Sequence, residues 1–288
     1  MSNNFYNQNK KFIDKFIHHA LIEDIGEIDH SSESCIPDNS FKTAKLIIKK
    51  PCIIAGIEIA NKIFNYFDSN IVFKSFMNDG DIAEVGSIPF TVRGKAKSIL
   101  ATERVVLNTM QRMSGISTTT KNLADLIKKY DCKILDTRKT SPNFRYPEKW
   151  AVKIGGGLNH RMGLFDSIII KDNHIDYCGG INNTLRKVEK YLKKLKNKKP
   201  ALIIEIRKLE EIKDVLKYNF VDRVLLDNMQ SEKLKEAVKI INKKIEIEAS
   251  GNINISNIQE IAKTGVNYIS IGALTHSASH IDMSLKAT

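Results

Sequence analysis

No apolar run in this chain approaches the roughly 20 residues that a membrane-spanning helix requires. The opening residues, Met1-Ser2-Asn3-Asn4-Phe5, lack the basic-then-apolar layout of a secretory signal. Cysteine is sparse and scattered, since Cys35, Cys52, Cys132 and Cys178 show no paired metal-ligand spacing. That pattern argues against a disulfide framework or a zinc site and for reduced thiols. Aromatic residues make up 7% of the chain, few for a protein that stacks bases on exposed rings. The expectation from these absences is a soluble, cytoplasmic protein with no membrane and no nucleic-acid partner. At 288 residues the chain can hold one large domain or two modest ones.

Charge is what the chain has in excess, with a formal net charge of +12. Much of it sits in stretches such as Lys193-Lys194-Leu195-Lys196-Asn197-Lys198-Lys199, expected to be a solvated helix end or loop. Charge alone also fits a nucleic-acid binder, but that reading needs basic residues massed on one exposed face. Here the cations that stand out are dispersed instead at the abrupt ends of apolar runs.

Ile134-Leu135 runs into Asp136-Thr137-Arg138-Lys139-Thr140. The triplet Gly155-Gly156-Gly157 leads to Asn159-His160-Arg161, and Ile168-Ile169-Ile170 stops at Lys171-Asp172-Asn173-His174. Arginine, lysine and histidine beside short apolar strands describe a pocket for a small, multiply anionic molecule. The planar arginine fork suits carboxylate and phosphate because it donates two parallel hydrogen bonds.

Periodicity predicts a helix over residues 12–21, then strands near 44–49, 53–54, 71–73 and 89–92, separated by turn residues. Residues 98–113 are again helical, with Arg104, Asn108 and Gln111 on one face. After Ser114-Gly115 strands are expected at 133–135, 167–170, 201–206, 223–226, 245–249 and 268–271, with helices at 209–218, 231–242 and 255–264. Alternation of this kind implies βα units around a parallel sheet. Each run ends in polar chemistry, as expected where barrel strands converge on one rim.

The series Glu103-Arg104-Val105-Val106-Leu107-Asn108, Asp136-Thr137-Arg138-Lys139-Thr140, Gly155-Gly156-Gly157-Leu158-Asn159-His160-Arg161, Ile170-Lys171-Asp172-Asn173-His174, Leu226-Asp227-Asn228, Glu248-Ala249-Ser250-Gly251 and Gly272-Ala273-Leu274-Thr275-His276-Ser277 resembles the quinolinate phosphoribosyltransferases. The resemblance runs in order along nearly the whole chain. It implies an α/β fold: an N-terminal open α/β sandwich (residues 1–113, with 273–288 packing back on it) and an incomplete βα barrel of parallel strands (residues 114–272). It implies transfer of phosphoribosyl from phosphoribosyl pyrophosphate to quinolinate with loss of carbon dioxide, giving nicotinate mononucleotide for NAD biosynthesis. It also implies a homodimer, with larger homo-oligomers left open.

By the same resemblance Arg138, His160, Arg161 and Lys171 hold the two quinolinate carboxylates, with Arg104 reaching in from the neighbouring subunit. Thr137 and Lys139 belong to the same substrate-binding set, Lys139 facing pyrophosphate or substrate charge. Glu205 and Asp227, at strand ends, are the candidates to hold Mg2+, directly or through water or ribose hydroxyls. Lys139, Glu205 and Asp227 form the catalytic set. Ser250-Gly251-Asn252 and Ile271-Gly272-Ala273 offer backbone N–H groups to a 5′-phosphate.

Four positions depart from the family pattern. Arg207 stands where an acidic residue is usual, and Asn252, Asn143 and Ile28 stand where glycine is usual. The rival readings are a phosphoribosyltransferase of the same fold acting on nicotinate, a related protein type found with molybdenum transport, and a noncatalytic nucleic-acid binder.

Overall fold

Ile13, Ile17 and Leu21 recur every four residues and are all buried, giving the N-terminal segment one helical face. The computed structural model describes residues 3–196 and 199–288. Its first helix, α1, spans Asn3–Ile25, longer at both ends than the stripe at 12–21 predicts. The N-terminal extension is a separate helical piece, set off by non-helical angles at Asn9 (φ −120°, ψ 15°), and Phe5 on it stacks 5.5 Å from Trp150. Beyond the kink Phe12 stacks 4.5 Å from Tyr146 and Phe16 meets Phe144 edge-on at 5.0 Å.

In chain order there follow α2 (His30–Cys35), β1 (Phe41–Ile48), β2 (Cys52–Ile53), α3 (Ile57–Phe67), β3 (Val72–Ser75), β4 (Ile82–Ala83), β5 (Phe90–Lys95), α4 (Ala96–Ile127), β6 (Lys133–Leu135) and α5 (Arg145–Ile154). Then come β7 (Ser167–Ile170), α6 (Asp172–Cys178), α7 (Ile181–Lys194), β8 (Ala201–Ile206), α8 (Glu210–Val215), β9 (Arg223–Asp227), α9 (Ser231–Ile241), β10 (Glu246–Ser250), α10 (Ile258–Ala262), β11 (Tyr268–Ser270), α11 (Ala273–His276) and β12 (Met283–Ala287). In the lysine run Lys193 pairs with Glu189 at the end of α7, while residues 197–198 lie outside the described residues. Among the described residues no helix is long and apolar enough to cross a membrane.

The chain divides into two compact units, and it crosses between them more than once. The first gathers residues 1–121, 140–156 and 274–288; the second gathers 122–139 and 157–273. The first unit is built on an antiparallel sheet in the order β12-β1-β5-β3, with β2 and β4 as a separate pair. The C-terminal strand β12 lies antiparallel to β1, with Leu46 opposite Leu285.

Helix α4 continues well past Met113, through the Ser/Thr-rich stretch where the sequence pattern changes. Hydroxyls there would otherwise compete with the helix. They are engaged: Thr118 donates to the Ser114 carbonyl at 2.6 Å, and Ser117 reaches the Ile53 carbonyl at 2.7 Å. Ala55 N–H in turn donates to the Ser114 hydroxyl at 3.0 Å. Gly115 is required by close approach, because a Cβ there would sit 1.8 Å from the Ser279 carbonyl oxygen.

The second unit is a six-stranded, wholly parallel sheet in the order β6-β11-β10-β9-β8-β7. Leu158 extends it by a single parallel bridge to Leu135 outside β6. No ladder joins β7 back to β6 among the described residues, so the barrel is incomplete. Strand interiors such as Leu202, Ile204, Val224 and Leu226 are fully buried, as parallel sheets require.

A buried ion pair ties the first unit together. Arg112 donates to Glu148 Oε1 through Nε at 3.1 Å and Nη2 at 3.0 Å, and to the Ala278 carbonyl at 3.0 Å and the Thr275 carbonyl. Glu148 is fully buried and also accepts from the Ser141 N–H at 3.0 Å and hydroxyl at 2.9 Å. Removing only the cation leaves a buried carboxylate under-compensated. Arg112→Ala is therefore expected to cost about 3–5 kcal/mol in urea denaturation; a loss below about 1 kcal/mol would show that the pair is not a structural tie.

Candidate active site

Side chains on a parallel sheet alternate between faces, so strand register decides which residues meet. Ser250 lies opposite Asp227, and Glu205 opposite Leu225. Ile203 is opposite Ile169, which sets Lys171 level with Glu205. Leu135 is opposite Ser270, which sets Thr137 and Gly272 on that side as well. The alternation therefore places Thr137, Lys171, Glu205, Asp227 and Ser250 on one face, at or just beyond the carboxyl ends of their strands. That is the rim expected from the sequence.

The cation side is held by a buried carboxylate. Asp136, at the end of β6 and fully buried, accepts from Asn159 Nδ2 at 2.6 Å and from the His160 N–H at 2.8 Å. This fixes the turn that carries Arg161. Arg161 sends Nη1 to the Ser167 carbonyl at 3.0 Å, while its Nε is buried without a hydrogen-bond partner among the described residues. Burial, and then the nearby Arg138 guanidinium, push the Arg161 pKa down, with Asp166 offsetting part of this. A partly buried guanidinium that also feels a second, exposed one suits an anion of more than one charge. Thr137 shapes the same loop, its hydroxyl accepting the Lys139 N–H at 3.0 Å. Lys139 and Lys171 are exposed at their strand ends.

His160 is held differently from the other expected carboxylate ligands. Its Nδ1 accepts the Arg161 N–H at 2.7 Å, and its Nε2 lies 3.2 Å from Glu248 Oε2. Nδ1 therefore has a hydrogen-bond partner within the same unit, whereas Nε2 is buried and makes no hydrogen bond among the described residues despite its closeness to Glu248. Arg104 lies in the other unit, exposed on α4, and no carboxylate pairs with it among the described residues, Glu103 included.

The acid side lies on neighbouring strands. Burial raises the Glu205 pKa, and Asp227 and then Asp172 raise it further, while Lys171 and Arg207 oppose the shift. Clustered hard oxygen donors fit a divalent cation. Among the described residues, however, no group of three or more His, Cys, Asp or Glu side chains is placed to hold a metal ion. The residues thus fit Mg2+ only with further oxygen ligands from substrate or water. Arg207, the departure beside Glu205, grips Asp176 on α6 through both terminal nitrogens, at 3.0 and 2.7 Å.

The loop after β10 explains another departure. Asn252 has φ +51° and Asn143 has φ +59°, so both asparagines occupy the left-handed region. Asparagine is the side chain that enters that region at least cost after glycine. At Gly251 no substitute fits, since φ is +94° and a Cβ would meet Asn228 Oδ1 at 2.2 Å. Asn228 N–H donates to the Ser250 carbonyl at 2.8 Å, and Asn252 Nδ2 to Asn228 Oδ1 at 3.0 Å, closing the β9 and β10 loops onto each other. Beyond β11, the Ile271 N–H is already taken by the Leu135 carbonyl at 3.0 Å. Ile271 is buried, whereas Gly272 and Ala273 are partly exposed.

Sequence reasoning names no role for Glu248, although the register shows one. Glu246, Glu248 and Ser250 share the face that carries the rim, with Arg223 and Tyr268 beside them. Arg223 donates to Glu246 Oε2 at 2.9 Å and to Glu248 Oε2 at 3.1 Å, and stacks 3.8 Å over the Tyr268 ring. Burial alone would raise the Glu248 pKa, but His160, the Ser270 hydroxyl and Arg223 outweigh it and hold the carboxyl below its ordinary range. Polar residues at alternate positions of a predicted buried strand are the signal that points to this column.

Residues 29–114 match the N-terminal domain, and residues 116–286 the C-terminal domain, of quinolinate phosphoribosyl transferase. A chloroplastic nicotinate-nucleotide pyrophosphorylase (carboxylating) of Oryza sativa subsp. japonica is 45% identical over 284 residues, covering 93% of this chain and 75% of that protein. A probable nicotinate-nucleotide pyrophosphorylase (carboxylating) of Bacillus subtilis is 37% identical over 274 residues, covering 95% and 93%. The solved nicotinate-nucleotide pyrophosphorylase from Francisella tularensis superposes with a TM-score of 0.88 at 37% identity, covering 96% of each chain. Two domains matched in order along one chain, with relatives aligned over nearly its whole length, leave one assignment: the chain belongs to the quinolinate phosphoribosyltransferase family.

Proposed function

We propose that the rim of the second unit joins quinolinate to phosphoribosyl pyrophosphate, releasing pyrophosphate and carbon dioxide and leaving nicotinate mononucleotide for NAD biosynthesis. The observation that carries this reading is Arg161, whose Nε is buried without a hydrogen-bond partner among the described residues and whose pKa is pushed down by burial and then by the Arg138 guanidinium. Quinolinate, with adjacent carboxylates on a pyridine ring, supplies the two charges and the acceptor atoms that such a pair requires.

Arg138, Arg161 and Lys171 bind the carboxylates, and His160 borders them. Glu205 and Asp227 face the sugar diphosphate and its Mg2+, which when bound neutralises charge on the departing pyrophosphate. Lys139 supports the same developing charge. Ser250-Gly251-Asn252 and the Gly272 and Ala273 backbone face the 5′-phosphate. Held in line, the ring nitrogen attacks the anomeric carbon and pyrophosphate leaves with the bond's electron pair. The C–C bond to the adjacent carboxylate then breaks, its electron pair stays on the ring carbon beside the alkylated, positively charged nitrogen, carbon dioxide departs, and a proton from water fills that carbon. No covalent enzyme intermediate is needed.

Arg104 supports a homodimer in this reading, because an exposed guanidinium on α4 with no partner among the described residues is available to a neighbouring subunit. Four free cysteines support a reducing compartment such as the cytoplasm.

Purified protein with phosphoribosyl pyrophosphate and Mg2+ is expected to release nucleotide and carbon dioxide from quinolinate and to leave nicotinate unreacted. Turnover of nicotinate but not quinolinate would overturn the substrate assignment. Arg104→Ala and Arg138→Ala should each be nearly inactive, yet mixing them under subunit exchange should restore about a quarter of the sites of the unaltered dimer. Exchange without recovered activity would exclude a site shared between subunits.

A further inference from the structure

The antiparallel sheet of the first unit has two faces, and register assigns each side chain to one of them. Ala44, Leu46 and Ile48 of β1, Phe90 and Val92 of β5 and Leu285 of β12 are buried and form the inner face. On the outer face Lys45 lies opposite Lys286 on one side and Thr91 on the other, and Thr91 lies opposite Lys74. Two residues along, Arg93 stands between Thr43 and Val72, and beyond it Lys95 is opposite Phe41. The outer face thus carries Lys45, Lys74, Arg93, Lys95 and Lys286, and none of the strands β1, β3, β5 and β12 contains an aspartate or a glutamate. Lys45 is partly exposed and the other cations are exposed. None of them joins a salt bridge among the described residues. The carboxylates that Lys95 feels, Asp38 and Asp68, are engaged elsewhere, by Lys97 and by Ser98.

Lysine on an edge strand guards against further strand pairing. That accounts for Lys286 on β12 and Lys74 on β3, which are the edges of this sheet. It does not account for Lys45, Arg93 and Lys95, which sit on the two inner strands β1 and β5. Like charges directly across a sheet are destabilising, so Lys45 opposite Lys286 is a cost that folding alone does not explain. We propose that this outer face is a docking surface for an acidic protein, whose carboxylates relieve the repulsion on contact. Strands stand about 4.8 Å apart and alternate residues about 6.8 Å apart, which spreads the cations over a field about 15 Å on a side. A face of that size suits a transient, electrostatically steered encounter. Thr43 and Thr91 place hydroxyls between the cations, and Phe41, Ile47 and Val72 add apolar area at the margins. Nucleic acid is the poorer match, because bases would find no ring to stack on inside the field, Phe41 standing at its corner. A second copy presenting the same face would set like charges together.

Labelled poly-L-glutamate, followed by fluorescence anisotropy, is the probe for a carboxylate surface. The unaltered protein is expected to bind it at low salt and to release it as salt rises. Lys45→Thr/Arg93→Thr keeps good strand formers in place and should weaken binding about tenfold. Lys187→Thr/Lys190→Thr removes the same charge from the exposed side of α7 and should change binding by less than about twofold. No binding by the unaltered protein, or equal losses in the two variants, would overturn the proposal, since net charge and not this face would then be responsible. Tighter binding of a mixed-sequence single-stranded RNA or of phosphatidylserine vesicles, lost in Lys45→Thr/Arg93→Thr, would overturn it in favour of a phosphate polyanion. Removing Lys45 should leave Tm unchanged or raise it, because its repulsion with Lys286 goes; a lowered Tm would make the cations structural. Lys286→Thr, on the edge strand, repeats the binding test with an inner-strand cation left in place.

Discussion

Carboxylates with no access to water underlie the cation rim, and their need for donors organises it. Asp136 and Glu248 are both fully buried within the second unit. An ionised carboxylate without hydrogen bonds is prohibitively costly there, so each must recruit them. Asp136 takes the amide of Asn159 and the backbone N–H of His160. Glu248 takes Arg223 and faces the His160 ring. The turn between them is held from both sides, and Arg161 is the side chain it presents. Paired anions below and like-charged cations above are two parts of one arrangement, because fixed donors can be held close together only by a rigid support.

Much of the second unit was legible because its strands are short, apolar and ended by polar residues. Strands at 133–135, 167–170 and 201–206 have the expected bounds, and the parallel sheet follows from their alternation with helices. In the first unit the sequence signal was weaker for a physical reason. Helix α3 is capped by Asp79, which accepts N–H groups from Gly56 at 2.6 Å and Ile57 at 2.8 Å across more than twenty residues. Strand β12 exists only by pairing with β1, at the far end of the chain. The Ser/Thr stretch of α4 resembled a break because its partners, the backbone of residues 53–55, are remote in sequence.

The site shows the same division. Cations at strand ends announce themselves by type and place, so Arg138, Arg161 and Lys171 could be named from the sequence. Strand parity and backbone angle could not. His160 counted there as one donor among several, and the structure engages its Nδ1 as acceptor of the Arg161 N–H. Glu248 and Arg223 become visible only once register assigns them to the rim's face. Asn143 and Asn252 looked like losses of glycine, and their positive φ shows that each keeps the backbone shape that glycine would give.

The central claim is that the Arg138–Arg161 pair is a receptor for a diacid. Calorimetric titration of quinolinate into the unaltered protein and into Arg138→Ala and Arg161→Ala tests it directly, before any chemistry occurs. Each substitution is expected to weaken binding by about 2–5 kcal/mol, the loss typical of truncating one partner of a desolvated charge pair. Unchanged Kd for quinolinate in both variants would contradict the account.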